Sequence, residues 1–117
     1  MSEQQDRTAL GLVQDDKPED FNRYIATLSG PVNLSGAQFR GYDLRKFNLK
    51  TANLSHTYLK NSDIRGLDLS KANLAGASMR DAKISGCLFP ETITPEEIRL
   101  SIELGTRLRC SQYSKHV

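Results

Sequence analysis

The sequence predicts an all-β solenoid, in which a short repeated unit makes the chain coil around its own core. An apolar residue recurs at every fifth position from Leu34 to Phe89, a small residue mostly lies two positions before it, and residues 32–89 contain no proline. Against a background of 38% hydrophobic residues, such a register does not arise by chance. The twelve predicted core positions are Leu34, Phe39, Leu44, Leu49, Leu54, Leu59, Ile64, Leu69, Leu74, Met79, Ile84 and Phe89.

A spacing of five residues fits neither an ordinary helix nor an ordinary strand. An α-helix turns by about 100° per residue and would scatter the twelve positions over all its sides. In a strand, an odd spacing would send successive positions to opposite faces. A chain that turns once per five residues keeps all twelve positions inside.

Glycines mark the expected corners of this coil. Five of the eight glycines lie two positions after a core residue, where a corner can require unusual backbone angles: Gly36, Gly41, Gly66, Gly76 and Gly86. Because residues 32–89 contain no proline, each coil can donate backbone hydrogen bonds to the next one.

The repeated unit resembles a known family. The segments ANLSH at 52–56 and ANLAG at 72–76 are similar to the A-(D/N)-L-x-x unit of pentapeptide-repeat proteins, and such units fill residues 32–91, about half of the chain. This resemblance implies a right-handed quadrilateral β-helix with four units per coil, and hence about three coils. Tyr42 and Phe47 replace small residues of the motif, and we expect them to pack toward a cap.

The N-terminal part is predicted to be a tail followed by a capping helix. Residues 1–16 are acidic and glutamine-rich, and we expect them to be poorly ordered. Residues 17–31 carry apolar side chains at the spacing of one helical face, namely Phe21, Tyr24, Ile25 and Leu28. Pro18 suits the first turn, and Gly30 with Pro31 ends the helix. We expect this helix to cover the first coil; a partner-binding helix is the alternative.

A second helix is predicted within residues 92–109, at the other end of the coil. Thr94 as N-cap, Pro95 at the first helical position and Glu97 three residues after the cap form a capping box, and Gly105 is a plausible stop. Its predicted apolar face comprises Ile98, Ile102, Leu104 and Leu108. This face either covers the last coil or forms a homodimer, as the family resemblance implies for this end. Residues 110–117 form a tail without a usable pattern.

Charge is distributed unevenly along the chain. Residues 32–89 hold nine Lys/Arg against four Asp/Glu, a net charge of +5, whereas residues 1–31 have a net charge of −3. Stacking every twenty residues places basic side chains in two outward columns, one with Arg40, Lys60 and Arg80 and the next with Arg45 and Arg65. These columns either bind phosphate, nucleic acid or an acidic protein patch, or are ordinary solvated surface.

No residue pattern indicates catalysis, and we expect neither a cofactor nor a metal site. Asp43 and Asp63 would stack on an outward column without a pocket, His56 has no further ligands nearby, and Cys87 belongs to an interior column. Two cysteines give no disulfide framework, and the sequence shows no membrane-length apolar run and no signal-peptide pattern at its start. A cytoplasmic, non-membrane protein is therefore expected.

These observations predict a non-catalytic protein-binding or scaffold protein whose partner is another protein. The family resemblance also implies an alternative, a nucleic-acid- or DNA-topoisomerase-associated modulator of the gyrase-protecting type that acts through surface charge. Imitation of duplex DNA requires a long acidic rod, whereas this coil is short and basic. No gyrase-contact residue can therefore be transferred to this sequence.

Overall fold

The structure is a computed structural model, and it describes residues 4–111 of the 117-residue chain. Within that range it contains three helices: α1 (Arg7–Gln14), α2 (Pro18–Ile25) and α3 (Pro95–Leu104). The repeats form stacked coils between α2 and α3. The N-terminal helices pack at one end of the stack, and α3 packs at the other.

The coils are stacked in a register of twenty residues. Parallel bridges join Asn33 to Asn53 and Asn53 to Asn73, and the same spacing recurs on the other faces of the coil. The Leu34 N–H donates to the Asn53 C=O at 2.9 Å, which continues the register through backbone hydrogen bonds. Twenty residues correspond to four five-residue units per coil.

The continuous strands expected of an all-β solenoid are not formed anywhere in residues 4–111, where β pairing is confined to isolated bridges. The physical reason is the repeat itself, because the chain turns after each short bridging segment and never extends far enough to build a ladder. The all-β prediction therefore needs correction in its strand content.

Side chains at the five-residue positions fill the interior. Ten of the twelve predicted core residues are buried, and the other two, Ile84 and Phe89, are partly buried. Both belong to the last coil, on faces that α3 covers incompletely. The predicted corners also form: Gly76, for example, has φ +77°, and the non-glycine corner residue His56 has φ +60°.

The prediction of a poorly ordered segment over residues 1–16 is wrong for Arg7–Gln14, which form α1. The Asp6 carboxylate caps this helix by accepting a hydrogen bond from the Ala9 N–H at 3.0 Å. Ala9 and Val13, one turn apart, are buried in the core, which offsets the entropic cost of ordering the segment. Asp6 also accepts a hydrogen bond from the Tyr24 hydroxyl at 2.8 Å, which links α1 to α2. Residues 1–3 lie outside the described part of the chain.

The helix predicted at residues 17–31 is present as the shorter α2, and it covers the first coil. Phe21 is fully buried, and its ring meets that of Phe47 edge to face with 5.3 Å between centroids. The Tyr42 ring lies 5.6 Å from that of Phe39. The prediction that Phe47 packs toward a cap is therefore confirmed.

At the C-terminal end, α3 is shorter than the predicted range 92–109, but it has the predicted N-cap and stop residues. The Thr94 side chain accepts a hydrogen bond from the Glu97 N–H at 3.3 Å, and Gly105 ends the helix with φ +75°. The reciprocal half of the capping box was predicted wrongly. The Glu97 carboxylate instead accepts hydrogen bonds from the Arg109 N–H and Nε, both at 3.0 Å, because a guanidinium is the stronger partner.

The predicted apolar face of this helix is also divided. Leu108 lies beyond α3 and is buried, since the chain turns back after Gly105 and pairs with the last coil. The Leu108 N–H donates to the Ala77 C=O at 2.8 Å, next to an antiparallel bridge between Ser78 and Arg107. Leu104 is 62% exposed, whereas Ile98 and Ile102 pack partly against the core. Residues 112–117 of the predicted tail lie outside the described residues.

Candidate protein-binding surfaces

The C-terminal end of the coil is only partly covered, and an apolar groove remains beside α3. Its volume is about 430 Å³, and it is lined by Ile84, Cys87, Phe89, Pro95, Ile98, Arg99, Ile102 and Glu103. The neighbouring Leu88 side chain is 57% exposed. Of the predicted cap or dimer face, this groove therefore includes Ile98 and Ile102 and excludes Leu104 and Leu108.

The backbone edge of the last coil is also divided into a paired part and an open part. The Gly76 N–H donates to the Leu108 C=O and the Asp81 N–H to the Ile102 C=O. By contrast, no acceptor among residues 4–111 pairs with the N–H groups of Ile84 and Gly86. The open part borders the apolar groove, and an open edge of this kind can accept another polypeptide segment.

Cys87 lies between this groove and the core. Its thiol donates a hydrogen bond to the Ile64 C=O at 2.7 Å, and desolvation by burial raises the pKa of the thiol. A raised thiol pKa favours the protonated form, which is a poor nucleophile. The side chain is suited to packing, in line with the interior position predicted for it.

The first basic column remains together in the structure. Arg40, Lys60 and Arg80 are exposed and line one face of a cavity of about 220 Å³, whose other lining residues are Tyr58, Ser78, Leu104 and Gly105. No carboxylate in the described part of the chain lies within ion-pair distance of Arg40 or Lys60. The Arg80 Nε is 3.9 Å from an Asp81 carboxylate oxygen.

In the second basic column, Arg45 and Arg65 are each paired with a carboxylate, so this column carries less free positive charge than the first. A guanidinium nitrogen of Arg45 lies 2.9 Å from an Asp43 carboxylate oxygen. A guanidinium nitrogen of Arg65 lies 2.7 Å from an Asp63 carboxylate oxygen. The Arg45 Nε also lies 3.4 Å from Asp63. The hydrogen bond from Arg65 lowers the pKa of Asp63 to about 2, and the bond from Arg45 lowers the pKa of Asp43. The motif places each aspartate two residues before an arginine, and this short spacing is the sequence signal for the pairs.

Arg107 is a surface residue that sequence reasoning missed. Its guanidinium carbon lies 5.6 Å from the centroid of the Tyr58 ring, and one of its nitrogens donates to the Tyr58 hydroxyl at 3.2 Å. Arg107 follows α3 and reaches Tyr58 only because the chain folds back onto the last coil. The Tyr58 ring is therefore covered on one side.

The rest of the described surface has a polar groove and no arrangement of residues that suggests a metal site. A polar groove of about 570 Å³ is lined by Gln4, Pro31, Asn33, Thr51, Asn53, Lys71 and Asn73. No group of three His, Cys, Asp or Glu residues within residues 4–111 is arranged to hold a metal ion. The described surface thus presents a basic column, an amide-rich groove and an apolar groove beside an open backbone edge.

A family comparison agrees with the five-residue repeat. The model for pentapeptide repeats matches residues 33–66 and 52–89, in 8 copies. The chain therefore belongs to the pentapeptide-repeat family. Neither the comparison with curated proteins nor that with solved structures found a match. Among the described residues, none of the helices has the length and apolar character needed to cross a membrane.

Proposed function

We propose that this pentapeptide-repeat protein is a non-catalytic binding or scaffold protein that holds a polypeptide partner at its C-terminal end. The observation that carries the proposal is the open edge of the last coil beside the apolar groove. Membership of the family supports an interaction or scaffold role in general terms. The groove at Ile84, Phe89 and Ile98 supplies the specific surface.

The proposal includes a finer description of the fold. The twenty-residue register, with a corner in each five-residue unit, is what a right-handed quadrilateral β-helix requires. We propose that the coils adopt this architecture with very short bridging segments. Its stacked edges would then be equivalent from coil to coil, so that another polypeptide could continue the stack.

A polypeptide fits this end better than a small molecule does. The open N–H groups of Ile84 and Gly86 lie on the edge of the last coil. In the lower coils, the corresponding N–H groups donate to carbonyl groups of the next coil. Leu88 stands out from the same segment as an exposed apolar side chain. An added segment would satisfy the N–H groups and bury Leu88 together with the groove.

The first partner to test is a second copy of this chain. Two copies that meet at their C-terminal ends would each cover the open edge and the groove of the other, and homodimers at this end were predicted from the family resemblance. The second occupant to test is a different protein. A cytoplasmic location and the absence of catalytic activity are parts of the same proposal.

Light scattering of the purified chain from low to high micromolar concentration tests the homodimer. We expect a concentration-dependent dimer, and we expect Leu88→Glu to abolish it by placing a charge in the apolar contact. Leu104→Glu is the matched control, because Leu104 has a similar exposure but lines the cavity at Arg40, Lys60 and Arg80 instead of belonging to the open segment at residues 84–88. A chain that stays monomeric excludes the homodimer.

If the chain is monomeric, affinity capture from a native lysate at low and high salt tests for another protein. A contact through the groove should survive high salt and be lost in Leu88→Glu but not in Leu104→Glu. Capture that is insensitive to Leu88→Glu, or no partner at all, would refute the proposed surface. Recovery of nucleic acid only at low salt would favour the charge-based alternative.

A further inference from the structure

We infer that the column of Arg40, Lys60 and Arg80 is a docking site for an acidic α-helix of a partner protein. This inference rests on the proposed role as a binding protein but concerns a different surface. If this docking site is refuted, the proposed contact at the C-terminal groove is not affected, and the reverse also holds.

Two of the three cations in this column have no carboxylate partner among residues 4–111. Two neighbouring columns both carry arginine, but Arg45 is tied to Asp43 at 2.9 Å, whereas Arg40 and Lys60 have no ion-pair partner in the described structure. Backbone hydrogen bonds from the Gly41 N–H to the Lys60 C=O and from the Asn61 N–H to the Arg80 C=O hold the cations in adjacent coils. Like charges held one above another repel, and an anionic partner would relieve this repulsion.

The C-terminal end of α3 forms one wall beside the column, and this wall is partly apolar. An added Cβ at Gly105 would lie 3.4 Å from the Cβ and Cδ of Arg80, so the C-terminal end of α3 packs along the stem of that side chain. Leu104, 62% exposed, lines the same cavity. The site therefore combines a row of cations with one apolar contact, as suits the edge of an amphipathic acidic helix.

The spacing of the charges in the column also favours a helix. Stacked β segments are about 4.8 Å apart, so three coils place the outer cations about 10 Å apart. Acidic residues at i, i+3 or i+4, and i+7 of an α-helix lie along one side and span about 10.5 Å. Three same-face residues of an extended peptide span about 13 Å. The helix therefore matches the column better than a strand does.

Nucleic acid is less suited to this surface. Single-strand binders combine cations with aromatic rings on which bases stack. Here the Tyr58 ring is already occupied by Arg107, at 5.6 Å from its centroid. Nucleic acid would have to bind through charge alone, and the experiment separates this outcome from the inferred one.

The test uses the full chain and a fluorescent helical peptide with glutamates at i, i+4 and i+7 and one leucine beside them. A peptide of the same composition with its glutamates scattered around the helix is the reference. Fluorescence anisotropy at low salt measures both affinities, and a single-stranded oligonucleotide is titrated in parallel. We expect the ordered peptide to bind more tightly than the scattered peptide and the oligonucleotide.

The variant Arg40→Ser, Lys60→Ser, Arg80→Ser should weaken binding of the ordered peptide about tenfold, as expected when three exposed ion pairs are lost together. The control variant Lys46→Ser, Lys71→Ser, Lys83→Ser removes the same charge from exposed positions outside the column. Circular dichroism and thermal melting check that both variants fold. We expect the control to retain most of the affinity.

Several results would overturn the inference. Equal weakening by both triple variants would show non-specific attraction, and equal binding of both peptides would show that the helical spacing has no role. Tighter binding of the oligonucleotide with the same dependence on the column would assign the site to nucleic acid. Absence of binding by the ordered peptide would remove the site altogether.

Discussion

The side-chain oxygen of Asn22 accepts a hydrogen bond from the Asn48 N–H at 2.8 Å, so a residue of α2 takes the place of a missing coil. In the last coil the equivalent N–H, that of Leu88, donates to the Leu67 C=O of the coil before it at 3.0 Å. Asn22 also donates from its side-chain nitrogen to the Lys46 C=O at 3.1 Å. A single amide thus provides both a donor and an acceptor to the first coil, which stabilises its open edge.

We expect Asn22→Ala to lower the free energy of unfolding by about 1–2 kcal/mol, because two hydrogen bonds of about 0.5–1.5 kcal/mol each are lost. Urea denaturation measures the change. Asn22→Asp keeps the acceptor for Asn48 but removes the donor to Lys46, so its effect should be smaller at neutral pH. Equal stability of Asn22→Ala and the wild type would contradict this role of Asn22.

Two buried serines should respond in opposite ways to replacement by alanine. The Ser101 hydroxyl accepts a hydrogen bond from the Met79 N–H at 2.9 Å, so Ser101→Ala leaves that N–H unpaired and should cost about 1–3 kcal/mol. The Ser62 hydroxyl is buried without a partner among residues 4–111. Ser62→Ala should therefore be neutral or stabilising by about 1 kcal/mol. Thermal and urea unfolding of the two variants check the contrast, and destabilisation by Ser62→Ala would indicate a partner for that hydroxyl.

Two corner glycines separate backbone strain from side-chain crowding. Gly66 and Gly76 have φ of +78° and +77°, but an added Cβ meets nothing within 4 Å at Gly66, whereas at Gly76 it would clash with the His56 Nδ1. Gly66→Ala should cost about 1–2 kcal/mol, the backbone penalty of a left-handed residue. Gly76→Ala should cost more, because the His56 ring must move.

The double variant His56→Ala, Gly76→Ala is the control for this comparison. Measured against His56→Ala alone, the cost of the alanine at position 76 should fall to about the 1–2 kcal/mol expected at Gly66. If Gly76→Ala and Gly66→Ala destabilise the chain equally, contact with His56 contributes nothing to the difference.

Acid should destabilise the fold over a defined range of pH. The hydrogen bond from Arg65 lowers the pKa of Asp63 to about 2, and Arg45 and Arg109 lower the pKa values of Asp43 and Glu97. A carboxyl whose pKa is depressed in the folded state stabilises the fold above its unfolded pKa, about 4, and this contribution is lost as the pH falls toward the folded value. The melting temperature should therefore fall between about pH 4 and pH 2.

The variant Asp63→Asn tests the part of this acid sensitivity that comes from the ion pairs of the second basic column. It should melt at a lower temperature than the wild type at pH 7, and its melting temperature should change less between about pH 4 and pH 2. Asp15→Asn, at an exposed position after α1, should leave the pH dependence unchanged. An identical acid profile for Asp63→Asn and the wild type would exclude this ion pair as a cause.

The sequence predicts the interior of this protein better than its surface. The five-residue period identified Leu34 and the other core positions because burial acts on each residue through its place in the repeat. The roles of Thr94 as N-cap and Gly105 as helix stop were equally predictable, because cap residues act on their own local backbone. The partner of the Glu97 carboxylate could not be predicted from the sequence, because Arg109 approaches it only after the chain has turned back.

The candidate surfaces were predictable only in part. The repeat placed Arg40, Lys60 and Arg80 in one column, but it could not show that Arg45 and Arg65 are neutralised until side-chain geometry joined them to Asp43 and Asp63. The acidic composition of residues 1–16 concealed α1, whose stability depends on burying Ala9 and Val13 against the rest of the molecule.

The sequence by itself determined the repeat, its core positions and the presence of helices next to both ends of the coil. Each of these follows from the spacing of residue types along the chain, which acts through local backbone geometry and burial. Only the tertiary structure decided which end remains open and which basic column keeps two cations, Arg40 and Lys60, without a carboxylate partner in the described part of the chain. Which end remains open depends on contacts between residues far apart in sequence, such as Leu108 with Ala77, and no local pattern encodes such contacts. Arg45 and Arg65 pair with aspartates only two residues away, and the side-chain conformations in the folded chain decide that pairing.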